Sequence, residues 1–459
     1  MTDPLAGKRV LVLGLARQGT ALAKWLVDIG AHVTISDLRT EDELADALAD
    51  LDGLPIQYVL GDHPMHLLTR TDLVCLSGGV PLDIPIVKEA RKRGIPLSND
   101  AQLFMERCPC HVIGITGSAG KTTTTALVGK MCEEAGMLPW VGGNIGNPLI
   151  SDLAYIKPND IAVMELSSFQ LEIMTASPHI AAILNITPNH LDRHKTMEAY
   201  IEAKARILDN QIAGDVAVLN RDEPNAYNLR SRAEHELSFF SATVPVEVGA
   251  WLVGEKVVCR RIFTEPMETV CEVSEIPLRG SHNVLNVLAA CAIAGSAGVP
   301  IDAMRQAIIN FKAVPHRLEV VRDWMGIRFV NDSIATAPER VIAALEAFQG
   351  ESIVLLLGGR DKNLPWDELI ELAVRQCHAI IGFGEIGRMI VEKAAAERAR
   401  QEATTRIEQT STLEEAVWQA ARLANEGDVV LLSPGGTSYD AYKDFAERGD
   451  AFRKLVSRL

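Results

Sequence analysis

The sequence predicts an α/β protein of three domains: a Rossmann-like N-terminal domain, a central P-loop ATPase-like domain and a Rossmann-like C-terminal domain. Three observations carry that expectation. At 459 residues the chain exceeds the size at which one hydrophobic core stops growing. Short aliphatic runs alternate with helical stretches, which is the rhythm of βαβ units. Many of those runs end in Gly, Asp or Ser before a helix, where open α/β sheets keep their ligand loops.

In the first domain, RVLVLG (9–14) leads into a helix over about 16–29, then HVTISD (32–37), a helix from about Glu41, and DLVCLSGG (72–79). ERCPC at 106–110 interrupts the next helix and sets a boundary at 107/108. HVIGIT (111–116) then runs into GSAGKTTTT and a helix through Glu134, followed by IAVMEL, AAILNI and a helix over about 198–211. VAVLN, WLVGEKVVCRRI (251–262) and TVCEVSEI (269–276) read as strands completing a mixed sheet. After HNVLNVLAACAIAGSAG the second boundary is expected at 305/306. RLEVV, IRFVND, SIVLLLGG, AIIGFG and DVVLLSPGG then form the third sheet, and 392–409 is charged enough to be a solvated helix and loop. The expected domains are therefore 1–107, 108–305 and 306–459.

Composition narrows the function. Lys and Arg number 45 against 60 Asp and Glu, a net charge of −15, which argues against a generic nucleic-acid binder because that affinity rests on neutralising phosphates. Hydrophobic residues make up 47% and aromatics only 5%, so the core should be aliphatic. Of eight cysteines only Cys108 and Cys110 are close in sequence, and no paired CxxC knuckle suggests zinc. The opening MTDPLAGKRVLVLG has no secretory pattern, and the apolar stretch 287–299 is shorter than the roughly 20 residues that cross a bilayer. A cytoplasmic protein without membrane insertion is expected.

The strongest chemical signal is GITGSAGKTTTT at 114–125. A strand, a loop bearing Gly117 and Gly120, and a helix start would set backbone N–H groups and the positive helix end around phosphates. Lys121 could reach those phosphates and Thr122 could hold Mg2+. The pattern departs from a strict Walker A motif because Ile115 stands at the first glycine position. The first domain carries a weaker signal. Gly14 and Gly19 flank the first turn and Asp37 ends the second strand, but Ala16 breaks the dinucleotide fingerprint, leaving either a nucleotide diphosphate site or an empty Rossmann-like domain.

Glu165 ends IAVMEL, followed by Ser167 and Ser168, and His190 and Asp192 follow ILNI. Thr122 and Glu165 suit Mg2+, which favours oxygen ligands; His190 reads as a metal or anion ligand, or as a capping or surface histidine. Lys204, beside Glu198 and Glu202, reads by itself as a solvated helix lysine. Asn283 and Asn286 share a helix face suited to a base or ribose, with capping as the alternative. Arg317 and Asp332, the latter in NDSIATAPE with Thr336, could hold a γ-phosphate and ribose. GGRDK and SPGGTSYDAYKDFAERGDAF offer Lys362 and Ser438 for a small carboxylate.

Over essentially the whole chain, the order of these motifs resembles the ATP-dependent Mur ligases of peptidoglycan synthesis. The resemblance rests on TGSAGKT, GGNIGNPL, ELSSFQLE, LNITPNHLDRH, YIEAKARI, GSHNVLN, PHRLE, NDSIAT and SYDAYKDFAERG. It implies a UDP site at Leu15, Ala16, Asp37, Arg39, Ser77 and Gly79, with Asn144 on the muramoyl part. It places Gly117, Gly120, Lys121, Thr122, Thr123, Asn283, Asn286, Arg317 and Asp332 on ATP. Thr122, Glu165, His190 and Lys204 would serve Mg2+, Lys204 as a carbamate, and Lys121, His190 and Lys204 would form the catalytic group. Thr336, Lys362, Ser438 and Phe445 would receive the amino acid. The implied substrates are UDP-N-acetylmuramoyl-L-alanine, ATP and glutamate, and the implied state is a monomer.

Two departures stand out. Ala119 replaces the family's phosphate-loop asparagine, and Ile334 replaces the lysine of NDSKAT. A related branch resembling NDSI adds L-glutamate, so the sequence reading keeps D-glutamate first and L-glutamate as the alternative. Three competing functions fit less well. A dehydrogenase leaves the phosphate loop unexplained, a folate-chain glutamate ligase fits ELSSFQLE poorly, and a non-catalytic UDP-sugar regulator has no need of Lys121, Glu165 and His190 together.

Overall fold

Strands β1 (Arg9–Leu13), β2 (His32–Asp37), β3 (Ile56–Leu60), β4 (Leu73–Leu76) and β5 (Leu97–Ser98) form an all-parallel sheet in the order β3-β2-β1-β4-β5. This is the first of three sheets in the computed structural model, which describes residues 2–278, 280–311, 315–361 and 364–459, the side chain of Asp192 apart. Helices cover both faces of such a sheet, so Val10, Leu11, Val12 and Leu13 are all buried and the strand reads as a continuous aliphatic run. Strand order reverses between β1 and β4, and at such a switch point the carboxyl ends open a crevice. Gly19 is needed there: a Cβ on it would overlap the carbonyl oxygen of Gly14.

The second sheet comprises β6 (His111–Thr116), β7 (Pro139–Gly143), β8 (Ile161–Glu165), β9 (Ile180–Ile183), β10 (Val216–Asn220), β11 (Glu236–Ser241), β12 (Gly249–Val253), β13 (Lys256–Arg260) and β14 (Glu268–Glu272). Its order is β14-β13-β12-β11-β10-β9-β6-β8-β7, parallel from β7 to β12 and antiparallel across the last two pairings. β6 therefore sits between β8 and β9, and the ends of these three strands build the site.

The third sheet comprises β15 (Glu319–Trp324), β16 (Ile327–Asn331), β17 (Ile353–Gly358), β18 (Cys377–Phe383), β19 (Arg406–Gln409) and β20 (Val429–Gly435), in the order β15-β16-β20-β17-β18-β19. Only β15 runs antiparallel to its neighbour.

Several expected elements change. The run 251–262 is a hairpin turning at Gly254, whose φ of 60° a side chain resists. The helix expected from Glu41 shrinks to the short pieces Asp42–Leu44 and Ala45–Ala49, because only Leu44 among those residues is buried and short helices depend on packing. The helix expected to reach Gln211 ends at Ala205. Part of the charged 392–409 stretch is the edge strand β19, which needs a ladder partner on one side only.

The chain divides into two compact units, 1–277 with 282–311 and 278–281 with 312–459. The first two sheets share the first unit, joined by hydrogen bonds such as Asn99 Nδ2 to the Gln170 carbonyl at 2.9 Å and Arg193 to the Gly79 carbonyl at 3.1 Å. The expected 305/306 boundary falls inside the helix Ile301–Ile309. That helix buries Ala303, Met304, Ala307 and Ile308 and packs on the helix Lys121–Glu134, so the division lies after Phe311. Among the described residues, no helix is long and apolar enough to cross a membrane.

Candidate active site

The buried strand β6 delivers a loop of four residues, 117–120, to the start of the helix Lys121–Glu134. Gly120 caps that helix with φ +81°, and a side chain on it would overlap Asn286 Oδ1. Asn185, just past β9, grips the loop: its Oδ1 accepts from Ala119 N at 2.9 Å and its Nδ2 donates to Ala119 O at 3.1 Å. The Ser118 N–H also donates to the Asn185 carbonyl at 2.9 Å. Ala119 therefore costs the loop a side chain without costing it its shape. No acidic residue stands in the helix's first turn, so its N–H groups and dipole face the loop unopposed.

Lys121 Nζ donates to the Gly117 carbonyl at 2.9 Å. Thr122 Oγ1 donates to Glu165 Oε2 at 2.9 Å, and Asn144 Nδ2 donates to Glu165 Oε1 at 2.9 Å. Glu165 ends β8 and is only 2% exposed. Asn144, expected on the muramoyl group, holds Glu165, and its carbonyl accepts from Arg17 at 2.8 Å. Thr122 and Glu165 are hard oxygen donors of the kind Mg2+ takes. Among the described residues, no three of His, Cys, Asp and Glu gather into a metal-holding group.

Lys204 overturns its solvated reading. It is 1% exposed, its ammonium donates to the Gly117 carbonyl at 2.9 Å and to Thr116 Oγ1 at 3.2 Å, and it lies 4.9 Å from the Tyr200 ring centre. Burial pushes its pKa well below the usual lysine value, the charge of Lys121 pushes it further, and Glu165 opposes. Glu202 is on another face, paired with Arg232 at 2.6 Å. Sequence reasoning also missed Tyr200, whose hydroxyl meets Ser118 Oγ at 3.0 Å; its spacing of four from Lys204 on one helix was the available signal. His190 is exposed in the left-handed region with φ 54°, its ring 5.1 Å from that of Phe169 and 6.5 Å from that of Tyr200.

Asn283 and Asn286 are both buried on the helix Ser281–Ser296, with Asn286 Nδ2 donating to Asn283 Oδ1 at 3.0 Å. Thr123 is buried in the first turn of the phosphate-loop helix. At the first sheet's switch point, Asp37 accepts from Leu15 N at 2.7 Å and pairs with Arg39 at 2.8 Å. Burial would raise the Asp37 pKa, but the Arg39 guanidinium and the Leu15 and Arg39 backbone donors bring it down to about 2. Exposed Ala16 and Gly79 and buried Ser77 follow the ends of β1 and β4.

In the second unit, Asp332 follows β16 and accepts from Ser433 Oγ at 2.7 Å. Burial raises its pKa to about 7, against the Ser433 hydrogen bond and the charge of Arg317. Ser438 is buried, Thr336 and Ile334 are half-buried, and the Phe445 ring stands edge-on to His316 at 6.2 Å. Lys362 lies outside the described residues. The residue not singled out from sequence is Arg448, which is fully buried: Nε and one terminal nitrogen donate to Ser333 Oγ and O, each at 3.0 Å, and both terminal nitrogens reach Gly436 O at 3.2 Å. Ser333 Oγ in turn donates to the Phe445 carbonyl at 2.8 Å. Arg448 thus joins NDSIAT, SPGG and the last helix, and its presence in the SYDAYKDFAERG segment was its only signal.

Models of known families match along the chain: a Mur ligase MurD-like N-terminal domain over 8–99, a Mur ligase middle domain over 115–294, and a Mur ligase glutamate ligase domain over 316–436. The chain belongs to the Mur ligase family. Among similar Mur ligases, the UDP-N-acetylmuramoylalanine--D-glutamate ligase of Pelotomaculum thermopropionicum is 40% identical, over 100% of this chain and 99% of the relative. The enzyme of the same name from Acetivibrio thermocellus is 38% identical, over 99% and 97%. The UDP-N-acetylmuramate-alanine ligase MurC of Thermotoga maritima shares the fold, with a TM-score of 0.61 at 22% identity over 98% of each chain. MurF ligase from the same organism, solved with ADP, gives a TM-score of 0.57 at 18% identity over 100% of each.

Proposed function

We propose that this Mur ligase joins D-glutamate to UDP-N-acetylmuramoyl-L-alanine, driven by ATP through an acyl phosphate. The supporting observation is the convergence of Lys121 and Lys204 on the Gly117 carbonyl beside the Thr122–Glu165 pair, at the mouth of a phosphate-binding loop. Relatives 36–40% identical over nearly the whole chain bear the D-glutamate name, and none of those supports the L-glutamate alternative raised by Ile334.

In this reading the L-alanine carboxylate attacks the γ-phosphorus of ATP and ADP leaves, giving an acyl phosphate. The glutamate amine then attacks the activated carbonyl carbon, the tetrahedral intermediate loses phosphate and a proton, and an amide remains. Lys121 and the loop N–H groups hold the phosphoryl charge in place, which is positioning and electrostatics. Thr122 and Glu165 would hold Mg2+, which would supply further neutralisation of phosphate oxygens. The depressed pKa of Lys204 favours the neutral amine that reacts with CO2, and the carbamate, formed with loss of a proton, would set an anion near Lys121.

In the first unit, Leu15, Ala16, Asp37, Arg39, Ser77 and Gly79 would line the uridine diphosphate and Asn283 and Asn286 are candidates for ATP; in the second unit, taken by itself, Arg317 and Asp332 are candidates for nucleotide phosphate and ribose. Thr336, Lys362, Ser438 and Phe445 would receive D-glutamate, and His190 would assist the metal.

The test is phosphate release with ATP, Mg2+ and UDP-N-acetylmuramoyl-L-alanine, adding D-glutamate, L-glutamate or neither. D-glutamate alone is expected to stimulate release and give a product heavier by one glutamyl residue. Equal stimulation by L-glutamate, or none by either, would overturn the reading.

A further inference from the structure

Of the eight cysteines, seven are buried and Cys108 alone is partly open to solvent. Its Sγ lies 3.5 Å from that of Cys110, two residues on, in the connection between the first and second sheets. The arrangement is local and held at both ends. Arg107 pairs with Asp3 at 2.7 Å and stacks on Trp25, anchoring the segment to the first sheet's layer, while His111 opens β6. The two sulfurs already touch, and closing them to the roughly 2.05 Å of a disulfide is a change confined to residues 108–110.

We propose that Cys108 and Cys110 are a peroxide-responsive modification site, in which Cys108 is the attacking thiolate and Cys110 the resolving thiol. The Cys108 sulfur attacks a hydroperoxide, the O–O bond breaks, and the leaving alkoxide or hydroxide takes a proton to become an alcohol or water. Cys108 is then a sulfenic acid. The Cys110 thiol attacks that sulfur, its proton and the sulfenic oxygen leave as water, and an S–S bond forms. Two thiols lose two electrons and the peroxide gains them.

Selectivity follows from the surroundings. The hydrogen bond between the two sulfurs, in which either can donate, and the Cys110 backbone N–H outweigh partial burial and lower the Cys108 pKa. The Cys110 pKa is raised, first by the Cys108 contact and then by burial, so Cys110 waits as a thiol. Burial raises the pKa of Cys75, Cys132, Cys259, Cys271, Cys291 and Cys377, which keeps those thiols inert.

The folded full-length protein is exposed to a small excess of hydrogen peroxide, alkylated, digested with trypsin and weighed. The tryptic peptide 108–121, CPCHVIGITGSAGK, holds both thiols and no other cysteine. It is expected to lose two hydrogens and resist alkylation, before any other cysteine changes, and to recover both thiols with dithiothreitol. Cys110→Ser is expected to leave a sulfenic acid at Cys108 that a dimedone probe captures, and Cys108→Ser to leave Cys110 unoxidised. The wild-type peptide decides the matter even if a variant folds poorly. Two free thiols in it after the buried cysteines have reacted, or sulfinic acid at Cys108 with Cys110 still reduced, would overturn the assignment.

Discussion

Lys121 and Lys204 donate to the same acceptor, the carbonyl oxygen of Gly117, each at 2.9 Å. Two ammonium groups on one oxygen repel, and the buried one yields: the Lys204 pKa falls well below its usual value through burial and then through the charge of Lys121. The electrostatics of the phosphate loop therefore depend on the charge state of a residue 87 positions away in sequence.

Lys204 should make stability depend on pH. Its folded pKa lies below the unfolded value of about 10.4, so between the two the unfolded chain binds more protons. Stability then rises with pH through that window and is lost as pH falls toward the folded pKa. Urea unfolding from about pH 7 to pH 10 should show this slope, up to about 1.4 kcal/mol per pH unit, and Lys204→Met should flatten it. An unchanged slope in Lys204→Met would remove Lys204 as its source. For the carbamate, CO2-free buffer should slow wild-type turnover and bicarbonate should restore it.

Gly120→Ala should destabilise the protein by about 1–3 kcal/mol, since it adds a Cβ at φ +81° against Asn286 Oδ1. Asn286→Ala in that background should recover the overlap but leave the backbone strain, a non-additivity that denaturant midpoints of the four proteins would measure. Strict additivity would show that the two residues do not meet.

Glu165→Gln keeps the shape of the side chain and the Asn144 contact while removing the negative charge. The Mg2+ concentration giving half-maximal activity is expected to rise at least about tenfold, with stability little changed. A Mg2+ titration overlaying that of wild type would count against Glu165 as a ligand.

Arg448→Met should cost about 2–5 kcal/mol, because the buried acceptors on Ser333 and Gly436 lose their donors together. Arg448→Lys should recover only part, an ammonium being unable to fork to both loops. Thermal unfolding checks the stability, and a raised KM for glutamate checks the link from these loops to the proposed amino-acid pocket.

The linear pattern made much of this protein legible. Aliphatic runs buried on both faces announced the parallel sheets, and the strand–loop–helix around Lys121 was visible because its glycines, Lys121 and Thr122 are contiguous. Lys204 was not legible from its neighbours: Glu198 and Glu202 suggested solvent, yet a helix turns 100° per residue, and packing decides which face meets the core. The position of the helix Ile301–Ile309, through which the expected 305/306 boundary runs, was hidden for a similar reason: it follows a natural break in the pattern but buries its apolar face on the preceding unit.

Sequence alone established the α/β architecture, the succession of three sheets and the strand, glycine-bearing loop and helix of 111–134, because each is written in residues close together along the chain. Folding settled what no local pattern encodes: that Asn144 and Thr122 share the carboxylate of Glu165, that Asn185 holds the backbone of Ala119, and that Arg448 locks two loops of the last unit. Such contacts join residues tens to more than a hundred positions apart. Their energies come from burial and hydrogen-bond geometry, which exist only once the sheets have brought their strand ends together.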